Sequence, residues 1–384
     1  MKVKLKPLSE QVIVITGADS GIGLATARAA AQAGARVVLN SRNEKALEQV
    51  ARELRSSGAR VEWHAGDVAS ESAMQDLAKA AVKAFGRVDT WVNNAGVAIY
   101  GQLERTPVDD ARRLFETNYF GVVNGSLAAL PHLRKSGGAL INLGSVLSTV
   151  SIPLQGHYAA SKHAVKGFTD SLRQELRHQE APVAVTLIRP AGIDTPYTEH
   201  AHNHMGDADP TLPPPVYAPE VVAKAILDCA QHPQREVLVG GAAKQMVMME
   251  SASKEAFDWY ADSLAWDQQR APRGSKRRHD SLYEPSVGGR THGDYEGHVM
   301  QSSAYTDTAQ HPLKRAAMLG ALGAGVWWLN RSGLLEQLNE QLRGHLFGGS
   351  GPSHAHDEVV TTSAPDMAGE HGVFEPGYAG AGQS

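Results

Sequence analysis

From Gln11 to about Gly241 the chain alternates short β-branched runs with helical patterns, and that alternation leaves room for one architecture, a parallel sheet covered by helices on both faces. Strand-like runs stand at 12–16, 36–40, 61–65, 89–93, 139–143, 183–189 and 236–239. Between them lie helical stretches at 22–33, 44–56, 70–85, 109–133, 157–177 and 219–231, most of them closed by glycine or proline. The fold class this predicts is α/β: a doubly wound, Rossmann-type parallel sheet of about seven strands over residues 1–241.

The texture changes after that point. Residues 242–273, with Trp259 and Trp266, read as a helical extension, and 274–312 is a polar Gly, Ser, His and Tyr run expected to be a mainly disordered linker. Residues 313–347 read as an apolar helix, and 348–384 as a flexible tail. The uncharged run from Ala316 to Leu329 is shorter than the about 20 residues a spanning helix needs. Trp327, Trp328 and the flanking cations nevertheless suit a membrane interface, so membrane association stands open beside packing against protein. The basic N-terminus is followed by a strand pattern rather than an apolar stretch, so export is not expected. The expected location is cytoplasmic, peripheral to or anchored in a membrane if the apolar run is used. A formal charge of −4 gives no reason to expect a nucleic-acid partner. The single cysteine, Cys229, rules out a disulfide framework or a thiolate metal site.

Directly after the first strand stands Thr16-Gly17-Ala18-Asp19-Ser20-Gly21-Ile22-Gly23. Residues without Cβ let the backbone approach a pyrophosphate, and the helix that follows offers free N–H groups and a positive dipole end. Gly17, Ser20, Gly21, Ile22 and Gly23 are therefore candidate cofactor contacts. Asp67-Val68 follows the third strand, where the carboxylate can accept from an adenine amino group, and Asn93-Asn94-Ala95-Gly96 follows the fourth, beside a ribose. The second strand ends in Leu39-Asn40-Ser41-Arg42, without the acid that would hold a ribose 2′-hydroxyl. Arg42 can pair a 2′-phosphate and stack on adenine, so NADP(H) is favoured over NAD(H).

Ser145 lies just past the fifth strand, and Tyr158 and Lys162 stand four residues apart at the start of the next long helix. That spacing puts phenol and ammonium on one face, where a nearby cation favours phenolate and brings its pKa toward the operating range. Ser145 can donate to a substrate oxygen.

These residues resemble the short-chain dehydrogenase/reductase family, single-domain type with a C-terminal extension. The match runs from about Val12 to Gly240 and includes Asn118 and Arg189-Pro190-Ala191-Gly192-Ile193-Asp194-Thr195-Pro196. The resemblance implies a catalytic tetrad of Asn118, Ser145, Tyr158 and Lys162. Tyr158 would exchange the proton, Lys162 would also hold the nicotinamide ribose, and Asn118 would fix a water linking Lys162 to solvent. Contacts to the nicotinamide would come from Pro190, Ile193 and Thr195, although Ala191 stands where the family often has glycine. The expected substrate is a small-molecule carbonyl or secondary alcohol. Similar enzymes are commonly homo-oligomers through the helices at 109–133 and 157–177. The other classes weighed are a non-catalytic NADP(H)-binding regulatory protein and a membrane-tethered scaffold, both of which leave the paired Tyr158 and Lys162 without a use.

The stretch between Thr195 and Pro219 is the expected substrate lid. Tyr100, Leu147, Leu154, Gln155 and Tyr197 are candidates for the pocket lining. His200, His202 and His204 alternate in the lid without a complementary Cys or acidic set in the sequence, which favours solvent-facing side chains and no metal site.

Overall fold

The computed structural model describes residues 3–274, 279–310 and 331. The chain divides into two units, Met1–Leu319 and Gly320–Ser384, and the fold described here belongs to the first. Its centre is a seven-stranded sheet built from β1 (Val12–Thr16), β2 (Arg36–Ser41), β3 (Val61–Ala65), β4 (Thr90–Asn93), β5 (Ala139–Leu143), β6 (Ala184–Pro190) and β7 (Glu236–Val239). Spatial order is β7-β6-β5-β4-β1-β2-β3, with every neighbouring pair parallel. The order reverses beside β1, so a crevice opens at its carboxyl end between the turns leaving β1 and β4.

Alternation along β1 explains why both faces need cover. Ile13 and Ile15 join Leu24, Ala27, Val222 and Ile226, which belong to α1 (Gly21–Gln32) and α7 (Pro219–Cys229). Val12 and Val14 face the other layer with Met74 and Leu77 of α3 (Glu71–Phe85), Leu133 of α5 (Gly121–Ser136), and Leu172 of α6 (Gly156–His178). All five residues of β1 are fully buried, as a run with no polar face requires. Asn43 and Ser70 cap α2 (Glu44–Ser56) and α3, each accepting from an N–H of the first turn.

The stretch expected as one helix at 109–133 is divided. α4 (Val108–Phe115) runs into a π-helical turn, Glu116–Phe120, before α5 begins. Asn118 sits in that turn, fully buried. The widened turn gives its amide room to bond backbone outside the helix.

Past β7 stand α8 (Gly241–Ala252) and α9 (Lys254–Tyr260). The expectation of disorder over 274–312 is corrected for 279–310. This segment is an ordered strap, with Leu282 fully buried beside Val97, Ile99 and Leu114, the short strand Val299–Met300 paired to Val216–Tyr217, and the helix Ala304–Gln310 laid on β7. Polar composition was a misleading guide, because the strap is held by backbone and side-chain hydrogen bonds to loops far away in sequence. The run from Ala316 to Leu329 and the tail at 348–384 lie outside the described residues. Among those described, no helix is long and apolar enough to cross a membrane.

Candidate active site

The turn between β1 and α1 depends on two glycines for its shape. Gly17 adopts φ +63°, and a Cβ there would lie 2.9 Å from the Ala95 Cα. At Gly23 a Cβ would fall 1.9 Å from the Gly17 carbonyl oxygen and 2.6 Å from Asn94 Nδ2. Asn94 ties the turn to β4, its amide donating to the carbonyls of Thr16 (2.9 Å) and Gly17 (3.1 Å). Asn93, one residue earlier, points away from the cleft and bonds Ser126, Asn142 and the Trp91 indole. α1 starts after Ser20 with no side-chain cap, which leaves its first N–H groups to other acceptors; that of Gly21 donates to the Arg290 carbonyl, 2.9 Å away.

Two cavities, of about 320 and 170 Å³, share Ile22, Asn94, Gly96, Thr195 and Tyr197 and form one cleft along this edge of the sheet. The smaller is lined by Gly17, Ser20, Gly21, Arg42, Asp67, Val68 and Ala95, and the larger by Ser145, Tyr158, Lys162, Pro190 and Ile193. Gly23 lies beneath the turn and Asn118 behind Gly96, so these two shape the cleft without lining it. The residues along this cleft fit a nicotinamide dinucleotide: backbone N–H groups at the start of α1 for phosphates, where Gly21 donates to the Arg290 carbonyl, a carboxylate at Asp67 to accept, and a buried ammonium at Lys162 to donate.

Arg42 and Asp67 are not idle. The Arg42 guanidinium donates to the carbonyls of Ser281, Leu282, Tyr283 and Glu284 in the strap. Asp67 accepts from Arg113 at 2.6 Å and from the Ala69 N–H at 3.0 Å. Burial works against its charge, but those two donors outweigh it and hold the carboxyl below its ordinary range. Further along, the Ser286 hydroxyl donates to Asp19 at 2.8 Å, and the strap forms part of the wall of the smaller cavity. No motif announces this contribution, because it is made by main-chain carbonyls.

At the other end, the Tyr158 hydroxyl faces those of Ser145 and Tyr197, and Lys162 Nζ stands 5.6 Å from the Tyr158 ring centroid. The Lys162 ammonium donates to the Leu143 carbonyl at 2.9 Å, and burial pushes it down to about 8. The expectation that Lys162 brings the phenol toward neutrality is corrected for this state. Burial pushes Tyr158 up, and the bonds to Tyr197 and Ser145 only partly oppose that. Asn118 is spent on its neighbours: its Oδ1 accepts from Val97 N–H at 2.8 Å, and its Nδ2 donates to the Val97 carbonyl (3.0 Å) and Ser161 Oγ (3.1 Å). It braces the loop after β4 against α6, the helix carrying Tyr158 and Lys162.

Of the expected pocket residues, Tyr100, Leu147, Gln155 and Tyr197 line the larger cavity. Leu154 does not; it is buried, and its carbonyl accepts from Gly101 N–H. Tyr158 and Tyr197 meet edge to face with centroids 5.5 Å apart. Met246 and Met249 of α8 and Tyr260 of α9 also line the cavity, and Gln269 bonds Gln155 at 2.7 Å. The lid histidines are not solvent-facing. His202 and His204 are largely covered and turn toward Asp110 of α4, while burial, with His279 and Arg290 beside it, pushes His200 down to about 4.

A family model described as short chain dehydrogenase matches residues 11–206. An oxidoreductase of Bacillus subtilis (strain 168), YxnA, is 42% identical over 326 residues, spanning 84% of this chain and 92% of that protein, well beyond the family model. Among solved structures, a short chain dehydrogenase/reductase from Burkholderia phymatum in complex with NAD superposes with a TM-score of 0.60 at 30% identity, covering 65% of this chain and 96% of the other. An alcohol dehydrogenase from the archaeon Thermococcus sibiricus, complexed with 5-hydroxy-NADP, gives a TM-score of 0.53 at 28% identity, covering 60% and 95%.

Proposed function

The chain belongs to the short-chain dehydrogenase family of NAD(P)-dependent oxidoreductases, and from that premise we propose that it interconverts a small carbonyl compound and its secondary alcohol, with NADP(H) preferred and Tyr158 as the proton-exchanging group. The observation that carries this reading is the gathering of Ser145, Tyr158 and the buried Lys162 around one cavity, with Lys162 Nζ 5.6 Å from the Tyr158 ring centroid. NADPH when bound supplies the hydride. Tyr158 delivers its hydroxyl proton to the substrate oxygen, and Ser145 donates a hydrogen bond that holds that oxygen in place. Lys162 keeps a positive charge next to the phenol as the proton leaves, and its remaining N–H donors suit ribose hydroxyls. Asn118 keeps α6 and the loop after β4 in register. Tyr100, Tyr197 and the apolar side chains of α8 exclude water and favour a substrate with an apolar body.

Support for NADP(H) comes from Arg42 and from a β2 end, Asn40-Ser41, that carries no carboxylate. The strap carbonyls use the same guanidinium donors, so a 2′-phosphate competes with them. The test is an oxidation screen of NADPH and NADH against a panel of ketones and aldehydes, run on the wild type and Arg42→Ala. We expect turnover of several panel members with NADPH, and in the variant a KM for NADPH raised about 10–100-fold, the loss of one charge-assisted contact. The KM for NADH should stay within about threefold. Equal effects on both cofactors would leave Arg42 as a strap anchor and end the preference; no turnover and no cofactor binding would end the activity.

The buried ammonium also sets a pH dependence. With Lys162 depressed to about 8 by burial, the charge it lends is complete below that pH and disappears above it. In the reductive direction kcat/KM should therefore decline above about pH 8. A pH–rate profile that stays level to pH 10 is incompatible with this assignment.

A further inference from the structure

Away from the catalytic groups, the lid and the strap converge on one carboxylate of α4. Asp110 of α4 presents Oδ2 to His202 Nε2 at 3.1 Å and to His204 Nε2 at 2.8 Å, and the three ligating atoms all lie within 4.8 Å of one another. The two histidines share one side because they are two apart on a short extended segment, fixed by N–H bonds from His202 to the Ala98 carbonyl and from His204 to the Tyr100 carbonyl. The surroundings are arranged as well. Tyr283 OH donates to the other oxygen of Asp110 at 2.6 Å, leaving Oδ2 for the imidazoles, and Asp280 Oδ2 bonds His202 Nδ1. Tyr283 and Asp280 both belong to the strap.

This outer arrangement decides what belongs in the middle. A proton on His202 Nδ1, donated to Asp280, turns the Nε2 lone pair toward the Asp110 carboxylate, and two acceptors then face each other unless a cation stands between them. A carboxylate behind a ligating imidazole is also the usual way such a ligand is oriented and made more basic. We infer that Asp110, His202 and His204 form a binding site for a divalent transition-metal ion of the zinc class, oriented by Asp280 and Tyr283. Metal–ligand bonds of about 2.0–2.2 Å place tetrahedral ligand atoms about 3.3–3.6 Å apart, so the two imidazole contacts to Asp110, at 3.1 and 2.8 Å, need only lengthen slightly to admit an ion. Two imidazoles and one carboxylate select this class over calcium or magnesium, which take oxygen sets. The bound ion ties the strap to the lid and to α4, and so fixes the segment whose carbonyls cap Arg42 and Gly21 at the cofactor cleft. The inference does not depend on the proposed reductase activity.

The test uses the full chain without a histidine tag, so that no added imidazoles compete for the metal. Protein stripped with a chelator is titrated with Co²⁺ and read by its visible d–d bands, and zinc content is measured by elemental analysis after dialysis against Zn²⁺. We expect about one tightly held ion per chain, tetrahedral-type bands, and a melting temperature raised by the metal. His204→Gln, which keeps a donor toward Asp110 but is a poor ligand, should lose the bands. His202→Ala with His204→Ala should do the same, and Asp280→Asn should weaken affinity about 10–100-fold with the ligands intact. Absence of bands and of retained zinc in the wild type would leave only a proton-bridged cluster and overturn the inference, as would bands undiminished in folded His204→Gln.

Discussion

Replacing Tyr158 with phenylalanine is expected to lower kcat by about 10²–10⁴-fold while leaving cofactor affinity nearly unchanged. The side chain is buried between Tyr197, at 5.5 Å between centroids, and Lys162, at 5.6 Å, so phenylalanine keeps the shape and removes one oxygen. Ser145 retains a partner, since its hydroxyl also accepts from Leu147 N–H at 3.1 Å, and Lys162 retains the Leu143 carbonyl. Stability should therefore move by no more than about 1 kcal/mol. The check is steady-state kinetics beside a thermal melt and a cofactor fluorescence titration. Turnover that survives with wild-type kcat, in a protein that melts and binds cofactor normally, would remove Tyr158 from the chemistry.

Gly23→Ala should produce the second large effect, and through a different cause. The added methyl would stand 1.9 Å from the Gly17 carbonyl oxygen, which is backbone and cannot rotate away, and 2.6 Å from the Asn94 amide that holds the turn. Either α1 slides off β1 or the turn opens, and both displace the helix start at Gly21 and Ile22. Strain of about 3 kcal/mol or more corresponds to a melting temperature lower by roughly 5–10 °C. Cofactor affinity should fall about 100-fold, since phosphate contacts at the turn are lost with it. Gly167 of α6, where a Cβ would meet nothing within 4 Å and the backbone is helical, provides the control position. A Gly23→Ala protein with unchanged melting and cofactor binding would mean that the turn is not the phosphate site.

The sheet was readable because its signals are local. Four consecutive apolar residues at 12–15 have to be buried on both faces, and the glycine run after Thr16 has to turn, whatever follows later in the chain. Tyr158 and Lys162 were readable for the same reason, being one helical turn apart. The π-helical turn around Asn118 was not, since its neighbours satisfy an ordinary helical period and its purpose is a bond to Val97, 21 residues away. The phenol was expected to be pushed down and is pushed up, because spacing reports adjacency but not dryness, and burial outweighs the hydrogen bonds that oppose it.

By itself, then, the sequence determined the architecture, the family, and the positions of the glycine turn and the phenol–ammonium pair. Only the tertiary structure decided that 279–310 would be a strap over the cofactor cleft, that Arg42 would be held by its carbonyls, and that His202 and His204 would meet Asp110 and Asp280. The physical reason is range. Periodicity and turn chemistry act over a few residues, whereas these contacts join groups separated by 78 to 242 positions, through main-chain oxygens and single polar side chains that leave no repeating mark along the chain.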